Sequence, residues 1–233
     1  MSERKHAILS ASGAYRWLAC PPSARLEEQF EETTSTYAEE GTLAHALAEL
    51  VLRYSLNQID TKTYDEQTQE LMKSEFYSTS MLDYIETYTS IVTEKINEAW
   101  ARSADAVVLL EQRLDFSDWV PEGFGTGDVV IISDGVLEVI DLKYGKGVPV
   151  SAEDNAQMRL YALGALATFD SLYDIQTVRM TIVQPRLDSV SSDEIPAEML
   201  YWWADTELAH QARLAWDGQG EFQAGEHCRF CRA

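Results

Sequence analysis

The sequence predicts an α/β fold: a central mixed β-sheet flanked by helices, behind a mainly helical N-terminal region. Three observations predict it. Apolar residues recur at helical spacing through roughly the first hundred positions. The period then shortens to the apolar runs of β-strands. From residue 136 onward, strand, helix, strand and helix alternate, an order that favours a mixed sheet with covering helices. The 233 residues suffice for one large domain or two small ones. No repeat or low-complexity linker divides them. The reading is therefore one domain over 1–233: a helical part at 1–105, a sheet core at 106–185, and a final helix with a cysteine pair at 186–233.

Each element has its own signal. Ser10 to Leu18 reads as a short helix capped by Ser10 or Ser12 and ended by Cys20-Pro21-Pro22-Ser23. A second helix starts near Glu40, with Leu43, Ala44, Leu47, Leu50 and Val51 on one face. A third covers about 66–102, with Leu71, Ile85, Tyr88, Val92 and Ile96 among its apolar positions. Val107 to Phe116 reads as a strand, and 126–133 and 136–143 as two more. Asp134-Gly135 joins the last two as a type I′ turn, in which both central residues need positive φ. A helix follows from Ser151, its expected N-cap, with Asp154 three residues on. A strand from Thr177 stops at Pro185, and a single long helix runs from Pro196 to Trp216.

Composition narrows the function classes. No run of about 18 apolar residues occurs, so no membrane span is expected. The N-terminal Met1 to His6 stretch lacks the apolar core of a signal peptide, and a cytoplasmic protein is expected. The net charge of −21 disfavours nonspecific nucleic-acid binding. Glu27, Glu28, Glu31, Glu32, Glu39 and Glu40 read as a solvated face or loop. Three cysteines, Cys20, Cys228 and Cys231, argue against a disulfide framework, and the Cys228/Cys231 pair has ligand spacing.

The hairpin carries the chemistry. With Ser133 facing Val136, Asp128 falls opposite Asp141, their Cβ atoms about 4.5–5.5 Å apart. Strict alternation then puts Asp128, Val130, Ile132, Leu137, Val139, Asp141 and Lys143 on one face. Opposed like charges destabilise a sheet unless offset. Lys143 offsets one; a divalent cation, which prefers oxygen ligands, offsets both. Two acids splayed into water is the competing reading. His45 lies inside the second helix with Glu49 one turn on, and Gln157 and Tyr161 share a face of the helix after the hairpin. Taken singly, each of these is an ordinary helical residue.

In order, these residues resemble the PD-(D/E)XK nuclease superfamily. They look most like its RecB-like branch, with its phage exonucleases and CRISPR-associated iron–sulfur nucleases. The matching motifs are Gly41-Thr-Leu-Ala-His45, Gly125-Thr-Gly-Asp128, Asp141-Leu-Lys143 and Gln157-Met-Arg-Leu-Tyr161, within about 40–185. The resemblance implies a restriction-endonuclease-like core and a DNA nuclease, most simply an exonuclease in phage recombination or replication. It implies Mg²⁺ or Mn²⁺ held by His45, Asp128, Asp141 and the Leu142 carbonyl, the imidazole favouring Mn²⁺. Lys143 would position or deprotonate the attacking water, and Gln157 and Tyr161 would hold DNA or brace the site. Glu49, with no assured counterpart, would support the ligands from behind. Asp141 stands where Glu is common.

The resemblance also gives Cys20, Cys228 and Cys231 the places of three of four ligands of a 4Fe–4S cluster. Ala233 follows Cys231 by two residues, so the cluster is expected to be incomplete, with truncation before a fourth ligand the favoured reason. Completion by His227, zinc binding and vestigial thiols are the other readings. Implied partners are linear DNA ends, a phage single-strand annealing or binding protein, and further copies of the chain. Two alternatives stand beside the enzyme: a noncatalytic DNA- or protein-binding module on the same scaffold, and an acidic DNA mimic suggested only by the charge.

Overall fold

A computed structural model describes residues 7–31 and 35–233; the Met1 to His6 stretch and Glu32 lie outside them. Five strands form one mixed sheet in the order β1-β2-β3-β4-β5: β1 Val107–Asp115, β2 Phe124–Ser133, β3 Val136–Leu142, β4 Thr177–Gln184 and β5 Ser189–Pro196. The first three form an antiparallel meander. β4 returns parallel to β3 through helix α6 (Ala156–Tyr173), and β5 pairs antiparallel on the outside. The turn behaves as expected: Asp134 and Gly135 have φ of 47° and 74°, and Ser133 pairs with Val136.

Apolar side chains of the sheet split between two cores. Val130, Ile132, Leu137 and Val139 pack under α6 with α1 (Ala14–Ala19), α7 (Ala197–Trp203) and α8 (Ala209–Asp217). Val129, Ile131, Ile140 and Leu142 pack under α3 (Thr36–Ser55) and α5 (Thr79–Arg102). The sheet is thus the middle layer of three, which explains why β2 and β3 read as continuous apolar runs.

Several boundaries differ from expectation, each for a local reason. Residues 11–13 form a 3₁₀ turn on a Ser10 cap before α1 begins. Ser35, whose Oγ accepts from Ala38 N at 3.2 Å, starts α3 four residues before Glu40. The expected helix over 66–102 is two: α4 (Thr61–Leu71), capped by Asp60, and α5, capped by Ser78. Side-chain caps on backbone N–H groups override the continuous apolar pattern. Asn155, not Ser151, caps α6; Ser151 Oγ accepts from Glu153 N in the preceding turn. A π-helical turn at Ala204–Leu208 interrupts the last helix. The sheet extends past 185 to Pro196, because β5 pairs with β4 along its length; its alternation of half-buried and exposed residues carries too few aliphatics to show in the sequence.

Part of the acidic run is not solvated. Glu27 is buried beneath α1 and α2 (Ser23–Glu27), with its Oε2 2.8 Å from Arg16 Nη2 and its Oε1 accepting from Arg232 N at 2.9 Å. Arg16 also donates to the Phe230 carbonyl. Together these contacts clasp the C-terminal segment to the N-terminal helices.

Candidate functional site

The site lies where the β2–β3 pairing ends. Regular pairing runs from the turn to Val129 and Ile140, and the next residues are Asp128 and Asp141. Here the pleat gives way. A Cβ on Gly125 or Gly127 would meet Tyr161 or Leu114, both on the α6 side. By alternation Asp128 then points to the opposite, α3 side, although Val130 two residues later faces α6. β1 shifts at the same level: Leu110 faces α3 and Leu114 faces α6, and between them Glu111 has a φ of 50°. A non-glycine residue there costs about 1–3 kcal/mol. The consequence corrects the single-face expectation: Asp128 leaves the face of Asp141 and Lys143 and turns, with Glu111, toward His45.

His45 Nδ1 lies 3.1 Å from Asp128 Oδ1, and Leu142 N donates to Asp128 Oδ2 at 2.7 Å. Donor atoms of His45, Glu111 and Asp128 all fall within 4.8 Å of one another, a spacing suited to one cation. Glu111 is the residue that sequence reasoning missed. Its signal was an acid inside the apolar run VVLLEQRL, which alternation alone would have sent to an unremarkable place. Burial lowers the basicity of the His45 imidazole, but the charge and hydrogen bond of Asp128, with Asp141 behind, outweigh it and raise its pKa to about 9. Burial, then the charges of Asp128 and Glu49, push the Glu111 carboxyl up to about 7. The pocket is rich in negative charge and holds protons in compensation.

The α6 side is built differently. Asp141, 2% exposed, is in a strand flanked by neighbours on both sides. Lys143 Nζ stands 2.6 Å from Asp141 Oδ2 and forms an ion pair with it. Burial raises the Asp141 pKa, and the Lys143 charge opposes that. Gln157 ties the group together. Its Oε1 accepts from Lys143 Nζ at 3.0 Å, and its Nε2 donates to Asp141 Oδ1 at 3.3 Å and to Tyr161 Oη at 3.1 Å. Gly125 is required by close approach: a Cβ there would lie 2.7 Å from Cε1 of Tyr161.

The remaining expected residues fall as follows. Glu49 pairs with Arg53 at 2.6 Å and lines the space beside His45 and Glu111. A cleft of about 450 Å³, lined by Gly41, Thr42, His45, Glu49 and Glu111 among others, opens the group to solvent. A Cβ on Gly41 would meet nothing within 4 Å, so this glycine marks open approach rather than packing. Leu142 contributes its amide to Asp128 and its buried side chain to the α3-side core. Cys20 Sγ accepts from Gln223 N at 3.5 Å and Cys228 Sγ donates to Gln223 O at 3.8 Å, so two thiols meet at one residue. His227 Nε2 also lies 2.8 Å from Gln223 O. Among the described residues, the three thiols form no group with the spacing of a metal site.

Fold and site together define a mixed-sheet α/β protein with an acid–imidazole pocket of cation-binding composition. The chain belongs to the family described as "Protein of unknown function (DUF2800)", which it matches over residues 6–233. A solved structure titled "Crystal structure of SSO0001" is similar at 13% identity and a TM-score of 0.37, over 99% of this chain and 86% of that one. No helix among the described residues is long and apolar enough to cross a membrane.

Proposed function

We propose that the protein is a divalent-metal-dependent DNA nuclease with a restriction-endonuclease-like core, acting as an exonuclease on linear DNA ends in phage recombination or replication. The observation that carries the reading is the meeting, at one sheet end, of the His45–Glu111–Asp128 group and the Asp141–Lys143 pair. The donor set fits Mg²⁺ or Mn²⁺: two carboxylates and an imidazole converge, their donor atoms within 4.8 Å of one another.

A bound divalent ion supplies Lewis-acid polarisation of a phosphoryl oxygen and lowers the pKa of water. The chain supplies the rest. His45, Glu111 and Asp128 would hold the ion, and Asp141 would join them as a ligand. The Leu142 amide fixes Asp128 through Oδ2. Lys143 is held by Asp141 and by Gln157 Oε1, so its ammonium is positioned to orient a water and to stabilise charge gathering on the phosphate. Gln157 and, through it, buried Tyr161 brace this pair. The open cleft beside Gly41 gives a strand a route in. The acidic remainder of the chain leaves this groove as the place where phosphate is tolerated, with the ion offsetting local charge.

The reading extends to the host cytoplasm as the place of action, a phage single-strand annealing or binding protein as partner, and self-association. A 4Fe–4S cluster at Cys20, Cys228 and Cys231 rests on the resemblance alone. The test is digestion of end-labelled linear and circular DNA with Mg²⁺ or Mn²⁺. Linear DNA is shortened from its ends, circles persist, and Asp141→Ala and Lys143→Ala abolish cleavage while folding normally. Undiminished cleavage by those variants sinks the mechanism. Saturable DNA binding without cleavage favours the binding module.

A further inference from the structure

On the α3 side of the sheet, one polar group is used by none of the chemistry above. Tyr88 sits in the middle of α5 at an apolar position of the helical pattern, and its side chain is 1% exposed. Its ring fills the core, but its hydroxyl has no hydrogen-bond partner among the described residues. Leaving a buried hydroxyl unpaired costs about 1–3 kcal/mol. A phenylalanine would fill the same volume without that cost. The hydroxyl is not stranded in hydrocarbon, however. Tyr88 lines a small cavity of about 10 Å³ with His45, Glu49, Glu111, Asp128 and Leu142. The orphaned donor therefore lies at the back of the acid–imidazole group, opposite its open cleft.

We propose that Tyr88 is a positioning residue of the cation site, its hydroxyl donating to the Glu111 carboxylate when a divalent ion draws that carboxylate into the cavity. The inference rests on the divalent-ion reading of the site. The chemistry is one-directional. Burial, with the charges of Asp128, Asp141 and Glu111 nearby, holds the phenol well above its ordinary pKa, so it remains a donor. Glu111 has room for such a donor: it lines the same cavity as Tyr88, and among the described residues no hydrogen bond fixes its carboxylate. Hydrogen-bonding a ligand carboxylate fixes its orientation, and removing such a partner typically weakens metal affinity about 10–100-fold.

The test is Mn²⁺ titration by calorimetry on the full chain and on Tyr88→Phe, with thermal unfolding of both in chelator. The expected result is Mn²⁺ affinity lowered about 10-fold in Tyr88→Phe, with an ion-free melting temperature equal to or above that of the parent. In a Glu111→Gln background, Tyr88→Phe should add nothing further. Equal Mn²⁺ affinity in parent and Tyr88→Phe overturns this inference and leaves the nuclease reading standing. A melting temperature lowered in chelator also overturns it, since the hydroxyl would then be a structural bond. A parent protein that binds no Mn²⁺ overturns both readings.

Discussion

The two carboxylates at the open end of the hairpin began as equivalents and end in different surroundings. Asp141 stays on the α6 face, buried, beside Lys143 and braced by Gln157. Asp128 crosses to the α3 face, where it meets His45 and Glu111. The first half of the site is tied by hydrogen bonds among its own side chains. The second contains a left-handed glutamate and an unpaired tyrosine hydroxyl, beside an imidazole and a carboxyl that both hold their protons tightly. The α6 side is arranged before any ligand arrives. On the proposed reading, the α3 side gains its partners when a cation displaces its protons.

This contrast can be broken by experiment. The largest effect is expected at Asp128, which adjoins both halves: Asp128→Ala should lower Mn²⁺ affinity at least about 100-fold, read by calorimetry. Next, Glu111→Gln should lower it about 10-fold while Lys143→Ala leaves it unchanged or raises it; if Lys143→Ala weakens the ion as much as Glu111→Gln does, the two halves are not distinct. Gly125→Ala drives a Cβ into the Tyr161 ring and should cost about 1–3 kcal/mol in urea unfolding. Smallest is Cys228→Ser, at an exposed thiol away from both halves, expected to change stability by less than about 0.5 kcal/mol and Mn²⁺ affinity not at all.

The pH dependence sharpens the same point, and its sign is set by the direction of the shifts. Glu111 binds its proton more tightly when folded, its pKa rising from 4.5 to about 7. Its contribution is full below pH 4.5 and lost as pH rises through 7. His45 rises from 6.5 to about 9, so its contribution is full below 6.5 and lost through 9. In chelator, these groups should make the melting temperature fall as pH climbs from 4.5 to 9. Saturating Mn²⁺ should flatten or reverse the slope, because the ion takes the place of the protons. A melting temperature that rises over this range in chelator would show the α3 side does not hold protons as described.

Much of the fold was legible because its signals were local. Asp134-Gly135 fixed the hairpin register, and apolar runs located β1 to β4 and α6. β5 escaped because its two aliphatic residues, Val190 and Ile195, fall on opposite faces of an otherwise mostly polar edge strand and leave no alternation to read. The helix break before α5 escaped because a cap at Ser78 competes with periodicity and leaves no apolar trace. In the site, the residues lying together were legible but their facing was not. Alternation of two per pleat holds only while the pleat is regular, and it fails at Glu111 and Asp128. Glu27 shows the converse: an acid in an acidic run was read as solvated, yet Arg16 and the Arg232 amide bury it.

The two-residue turn has a kinetic consequence. Asp128 and the Leu142 amide are 14 residues apart, whereas His45 must close a loop of 83 residues to reach Asp128. Hairpins form in microseconds, and long closures carry more entropy and come later. During folding the hairpin acids should therefore meet before the imidazole arrives, repelling each other at neutral pH. Refolding at raised salt, which screens that repulsion, should speed hairpin formation and leave the docking of α3 as the slow step.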